Sequence, residues 1–84
     1  MGSFDAAAMM YNLARIYRLT RQFDKAIEFN QKASKTYKEV LGNEDNEYVK
    51  SLINMGEIYH TLGKYDEAMK HYDEALNPHY SSGQ

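Results

Sequence analysis

The sequence predicts an all-α chain made of two tandem helix hairpins, and three observations lead there. Good helix formers (Ala, Leu, Met, Glu, Lys, Gln and Arg) dominate, while one proline and five glycines leave few interior breaks. No alternation typical of a strand persists for more than a few residues. Above all, the chain matches itself at an offset of 42 residues: Asn12 meets Asn54, Ile16 meets Ile58, Tyr17 meets Tyr59, Asp24 meets Asp66, Ala26 meets Ala68 and Ala33 meets Ala75. Conservative pairs fill the gaps, Leu13 with Met55, Ala14 with Gly56 and Phe23 with Tyr65. Small and aromatic positions recur while the charges between them drift, as expected of a repeated packing unit.

The first helix is expected over residues 4–20, with Met9, Met10, Leu13, Ile16 and Tyr17 as its apolar positions and Ser3 placed to cap it. The second covers 23–41, with Phe23, Ala26, Ile27, Ala33, Tyr37, Val40 and Leu41. Gly42 follows, where a residue in the left-handed αL conformation closes a helix well. Residues 43–46 form a polar loop in which Asp45 can cap the third helix, 46–62, carrying Val49, Leu52, Ile53, Met55, Ile58, Tyr59 and Leu62. Gly63 ends that helix, and the fourth runs over 65–77 up to Pro78, which would remove a helical hydrogen bond. The repeats thus span 4–42 and 46–78, and 79–84 are expected to be a disordered tail.

Small residues set how the hairpins close. Ala14 and Gly56 lie where the first helix of each hairpin approaches its partner, and Ala26 and Ala68 lie on the facing side. Small against small brings helix axes toward the lower end of the usual ~8–10 Å. The rings of Tyr17, Phe23, Tyr59 and Tyr65 are expected to fill the space beside them.

Composition narrows the function. A chain of 84 residues is one small domain, burying only about 60% of the surface its unfolded form exposes. With no cysteine it has neither disulfides nor thiolate metal sites, which fits a reducing compartment and a cytoplasmic location. The net charge of −2 comes from mixed acids and bases with no basic stripe, so no nucleic-acid partner is expected. No apolar run approaches the ~18 residues that span a bilayer, and residues 1–3 lack the features of a signal peptide, so no membrane partner is expected.

With these residues in place, the chain resembles the tetratricopeptide repeat family. The second repeat carries that family's motif as Leu52, Met55-Gly56, Tyr59, Gly63, Tyr65, Ala68, Tyr72, Ala75-Leu76 and an early Pro78. The first carries Met10, Leu13-Ala14, Tyr17, Phe23, Ala26 and Ala33, with Arg21 in place of the turn glycine and Asn30 in place of the second ring. The resemblance covers residues 6–78. Ordinary members repeat every ~34 residues. The longer interval here, with the stretch from Tyr37 to Asp45, is similar to the long repeats of kinesin light chains, although Asp45-Asn46 stands where those carry His-Pro.

The resemblance implies an α-solenoid, a fragment of a right-handed superhelix whose first helices line a concave face that binds a protein or peptide. Carried over by position, that face holds Ala8, Tyr11, Asn12, Arg15 and Arg18, then Lys50, Ile53, Asn54, Glu57 and Thr61. Spacing independently puts each set on one side of a helix, since 8, 11, 12, 15 and 18 recur at threes and fours. Asn12 and Asn54 admit two readings. In long-repeat relatives an asparagine here holds a bound peptide's backbone, for which an amide offers both donor and acceptor; the other reading has the amides bonding to neighbouring helices and stabilising the stack. The carboxylate clamp of chaperone cofactors is not expected, because Tyr11, Arg15, Ile53 and Glu57 occupy its lysine and asparagine positions.

Other residues have plainer explanations. His60, His71 and His79 have no i,i+4 pairing and read as solvated surface, so no metal or other cofactor is expected. Tyr17, Tyr59, Tyr65 and Tyr72 are motif core; Tyr11, Tyr37, Tyr48 and Tyr80 are freer, and Tyr11 is the best anchor for a partner. The pairs Asp66-Glu67 and Asp73-Glu74 are not placed for acid/base work: the first lies in the opening turn of a helix, where negative charge suits the dipole. No enzyme is expected. The last helix has nothing after it to cover its outer side, so Met69, Tyr72 and Leu76 are expected to be partly exposed. The alternative function follows from that: a structural segment of a longer array, or an engineered pair, that self-associates into a homo-oligomer through this face.

Overall fold

The computed structural model describes residues 3–77. The expected end marker Pro78, the tail at 79–84, His79 and Tyr80 lie outside the described residues. Four helices follow in order, α1 (Phe4–Leu19), α2 (Phe23–Leu41), α3 (Asn46–Thr61) and α4 (Tyr65–Leu76), with no strand among the described residues. α1, α3 and α4 end one residue before the positions expected from spacing, because Thr20, Leu62 and Asn77 serve as caps.

Local chemistry explains the boundaries. Ser3 Oγ accepts from the Ala6 N–H at 3.1 Å and Asp45 Oδ1 from the Glu47 N–H at 2.8 Å, so α1 and α3 each start on a capping side chain. The two hairpin turns are copies of each other. Gln22 N–H donates to the Tyr17 carbonyl at 2.7 Å and Arg21 N–H to that of Arg18 at 3.1 Å; in the second hairpin Lys64 donates to Tyr59 at 2.8 Å and Gly63 to His60 at 3.0 Å. This double closure needs a left-handed residue, and Gly63 supplies it at φ 79°. Arg21 adopts φ 64°, so the turn survives the loss of its glycine at the cost of backbone strain. Gly42 departs from expectation: its φ 92° and ψ 168° lie in a region essentially restricted to glycine, not in αL.

Each hairpin closes on small residues. α1 packs on α2, α3 on α4, α2 also against α3, and α1 meets α3 more lightly. Ala14, Ala26 and Ala68 are buried, and a methyl at Gly56 would fall 2.6 Å from Tyr72 Cε1. One core cluster joins Ala7, Ala33, Tyr37, Tyr48, Leu52 and Ala75; the other joins Ala26, Met55 and Ile58, flanked by Tyr17, Phe23, Ile27 and Tyr59. Aromatic pairing repeats too: Tyr17 stacks on Phe29 with centroids 5.6 Å apart, and Tyr59 lies 5.3 Å from the His71 ring at the corresponding positions.

Several sequence expectations need correcting. Tyr37 and Tyr48, read as freer rings, are buried in the core, and the Tyr48 hydroxyl donates to Glu74 Oε2 at 3.0 Å. Tyr65, read as core, is exposed, as are Met9, Val40 and Leu62. Ile16 is 54% exposed while its repeat counterpart Ile58 is 0% exposed. Identical residues differ because Ile58 packs beside Ala26 of α2, whereas among the described residues no further helix covers Ile16.

Candidate functional site

α1 and α3 lie side by side and enclose an open cleft of about 380 Å³. From α1 it is lined by Tyr11, Arg15 and Arg18, and from α3 by Lys50, Ile53, Asn54 and Glu57. Helical spacing puts these side chains on one stripe of each helix. Of the remaining positions carried over from the resemblance, Ala8, Asn12 and Thr61 do not line it. Asn12 is exposed, and Thr61 Oγ1 donates back to the Glu57 carbonyl of its own helix at 2.9 Å.

The floor of the cleft is a polar network. Arg18 Nε donates to Asn54 Oδ1 at 2.9 Å, and Asn54 Nδ2 donates to Asn30 Oδ1 at 2.8 Å. Asn30 Nδ2 in turn donates to the Ser51 carbonyl at 2.8 Å. Arg18 Nη2 also reaches Glu57 Oε1 at 3.6 Å. Beside this chain, Ser34 Oγ donates to Ser51 Oγ at 2.8 Å, and Ser51 Oγ to the Tyr48 carbonyl at 2.6 Å. Asn30 and Ser51 are fully buried and Asn54 nearly so. No buried side-chain nitrogen or oxygen among the described residues lacks a partner. Closed networks of this kind fix one arrangement of the helices that share them.

The amide oxygen and nitrogen of Asn54 both bond within the chain, so that, besides lining the cleft, it joins α1, α2 and α3. Asn30, the departure from the ring motif, is the other half of the joint. Sequence reasoning missed that role, although a polar residue at a core motif position, one helix before a repeated asparagine, was the available signal.

The rim of the cleft differs in character. The Arg15 guanidinium lies over the Tyr11 ring at 5.9 Å, and Lys50 Nζ pairs loosely with Glu47 at 3.6 Å. Ile53 is about one-third exposed. Among the lining side chains three cations, Arg15, Arg18 and Lys50, stand with the one carboxylate of Glu57, while Glu47 reaches Lys50 from outside the lining. The expected carboxylate pairs face elsewhere: Asp66 and Glu67 occupy the first turn of α4, and Glu74 accepts from Tyr48. Burial and the neighbouring Glu57 carboxylate push the Tyr72 phenol above its ordinary range, with Arg18 opposing. No group of three metal-ligating side chains occurs among the described residues.

The sequence profile of the tetratricopeptide repeat matches residues 5–77. The chain belongs to the tetratricopeptide repeat family. Tetratricopeptide repeats mediate protein–protein interactions and form a non-catalytic repeat family. Neither the curated proteins nor the solved structures searched gave a match. Among the described residues, no helix is long and apolar enough to cross a membrane.

Proposed function

We propose that this tetratricopeptide pair binds an extended segment of a partner protein in the cleft between α1 and α3, and acts by binding, not catalysis. The observation that carries the proposal is the cleft's composition: a half-buried ring (Tyr11) and an apolar side chain (Ile53) flanked by three cations against one carboxylate. Such a surface favours a peptide with an acidic side chain facing Arg15 or Lys50 and an apolar one against Tyr11 and Ile53. The rigid Arg18–Asn54–Asn30 floor limits the ordering cost of binding, because the groove exists before the guest arrives. A cytoplasmic setting, which the absence of cysteine fits, and kinship with the long kinesin-light-chain type of repeat, supported by the 42-residue period, belong to the same proposal.

A displayed peptide library selected on the chain tests it. Selected peptides are expected to be acidic and to lose at least tenfold in affinity to Arg15→Glu/Lys50→Glu, a change of about 1.4 kcal/mol or more. Peptides that bind this variant equally well would remove the cleft from the account.

A second reading has its own support. Met69 and Leu76, on one stripe of α4, are 64% and 76% exposed, and this favours self-association of the chain. Tyr72 beside them is partly exposed, its ring half-buried over Gly56.

A further inference from the structure

The positions that form the α2·α3 joint recur one repeat away, on α1 and on α4, where they are largely exposed. On α3 the joint uses Ser51, Asn54 and Ile58, which face Ser34, Asn30 and Ala26 of α2. Shifted by the 42-residue repeat, these positions are Met9, Asn12 and Ile16 of α1. Met9 and Ile16 are 63% and 54% exposed, and Leu19 on the same stripe is 68% exposed. On α2 the joint uses Phe23, Ile27, Asn30 and Ser34. Their counterparts on α4 are Tyr65, Met69, Tyr72 and Leu76, of which Tyr65, Met69 and Leu76 are exposed.

We propose that a second copy of the chain occupies these faces head to tail, with α4 of one copy on α1 of the next, continuing the interval that relates the two hairpins. The inference rests on the self-association reading above and adds its geometry. Continuity with the internal joint sets the register. Ile16 takes the place that Ile58 holds beside Ile27, and so meets Met69 of the neighbouring copy; Asn12 meets the Tyr72 phenol where Asn54 meets Asn30. Met9 and Leu76 replace the Ser51–Ser34 bond with apolar contact, so the joint between copies is greasier than the one inside. Because the two surfaces differ, the contact is heterologous and leaves a free end after every addition. Growth then continues with concentration and does not stop at a dimer.

Sedimentation velocity from micromolar to millimolar concentration, on the wild-type chain, on Ile16→Lys and on Met69→Lys, tests this. Both substitutions fall on exposed sites, and circular dichroism verifies that each variant keeps its helices. The wild-type mass is expected to rise past that of a dimer, each variant alone to stay monomeric, and an equimolar mixture of the two to form a one-to-one dimer and stop. A wild-type chain that stays monomeric throughout would overturn self-association itself. If Ile16→Lys or Met69→Lys alone still dimerises, or the mixture stays monomeric, self-association stands and the head-to-tail mode is wrong.

Discussion

Asn54 Nδ2 donates to Asn30 Oδ1 at 2.8 Å across the boundary between the two hairpins, with both side chains shut away from solvent. Ladder bonds are satisfied within each helix, so this side-chain bond is one of the few that sense how the hairpins sit relative to each other. Removing one partner leaves a buried amide unmatched, at about 1–3 kcal/mol. Asn30→Ala and Asn54→Ala should each destabilise by that order. The double variant should fall short of their sum by ~0.5–3 kcal/mol, the coupling expected of residues in contact. Urea denaturation of the four proteins measures it, and strict additivity would mean the bond contributes nothing.

Gly56 and Tyr72 are matched in the same way. The ring lies where a Cβ at residue 56 would be, 2.6–2.9 Å from three of its carbons. In the first hairpin the corresponding residues are Ala14 and Asn30, a methyl gained where a ring is lost. Gly56→Ala should therefore destabilise by roughly 1–2 kcal/mol, overpacking outweighing the gain in helix propensity. Adding Tyr72→Asn should make Gly56→Ala harmless or favourable. Thermal unfolding of the single and double variants decides it, and a stabilised Gly56→Ala chain would show that the ring moves aside freely.

Arg21 holds a left-handed conformation that Gly63 adopts without strain at the equivalent turn. Arg21→Gly should stabilise the chain by about 0.5–1 kcal/mol, relief of strain exceeding the added freedom of the unfolded backbone. The gain is reduced by loss of the guanidinium lying 5.3 Å over the Phe23 ring. For a domain this size it corresponds to a melting temperature higher by a few degrees. A lower value would mean the ring contact outweighs the strain.

Alkaline pH should weaken the fold. Burial, followed by the hydrogen bond and the charge of Glu74, pushes the Tyr48 phenol up to about 12 from its ordinary 10. Tyr37 is raised as well, by burial first and then by Glu47. A raised folded-state value means that the folded chain holds the proton more tightly than the unfolded chain. The stabilisation is complete below pH 10, and as pH rises from 10 toward about 12 the unfolded state ionises first and stability is lost. Melting temperatures across that window should fall less steeply in Tyr48→Phe than in the wild type. Equal slopes would take Tyr48 out of the explanation.

What was legible in the sequence was the local chemistry. Helix starts at Ser3 and Asp45, the turn at Gly63 and the small residues between paired helices depend on near neighbours, and all can be read from spacing. Cover supplied by the next hairpin was not legible. Ile16 and Ile58 are the same residue at the same repeat position, yet only Ile58 has a helix over it. Tyr48 looked free because its burial depends on contacts with the other hairpin and with α4. Of the cleft, the stripe Tyr11, Arg15, Arg18, Lys50, Ile53 came from the family resemblance, with helical spacing agreeing, whereas the bonding of Asn54 into a buried joint needed its partner Asn30 to be seen beside it.

The groove between α1 and α3 is tested most directly by following backbone amide resonances while a selected acidic peptide is titrated into the isotopically labelled chain. The largest shifts are expected at Tyr11, Arg15, Lys50 and Ile53, with α2 and α4 nearly silent. Shifts centred on α4, or on the outer stripe of Met9 and Ile16, would contradict a guest held in the cleft.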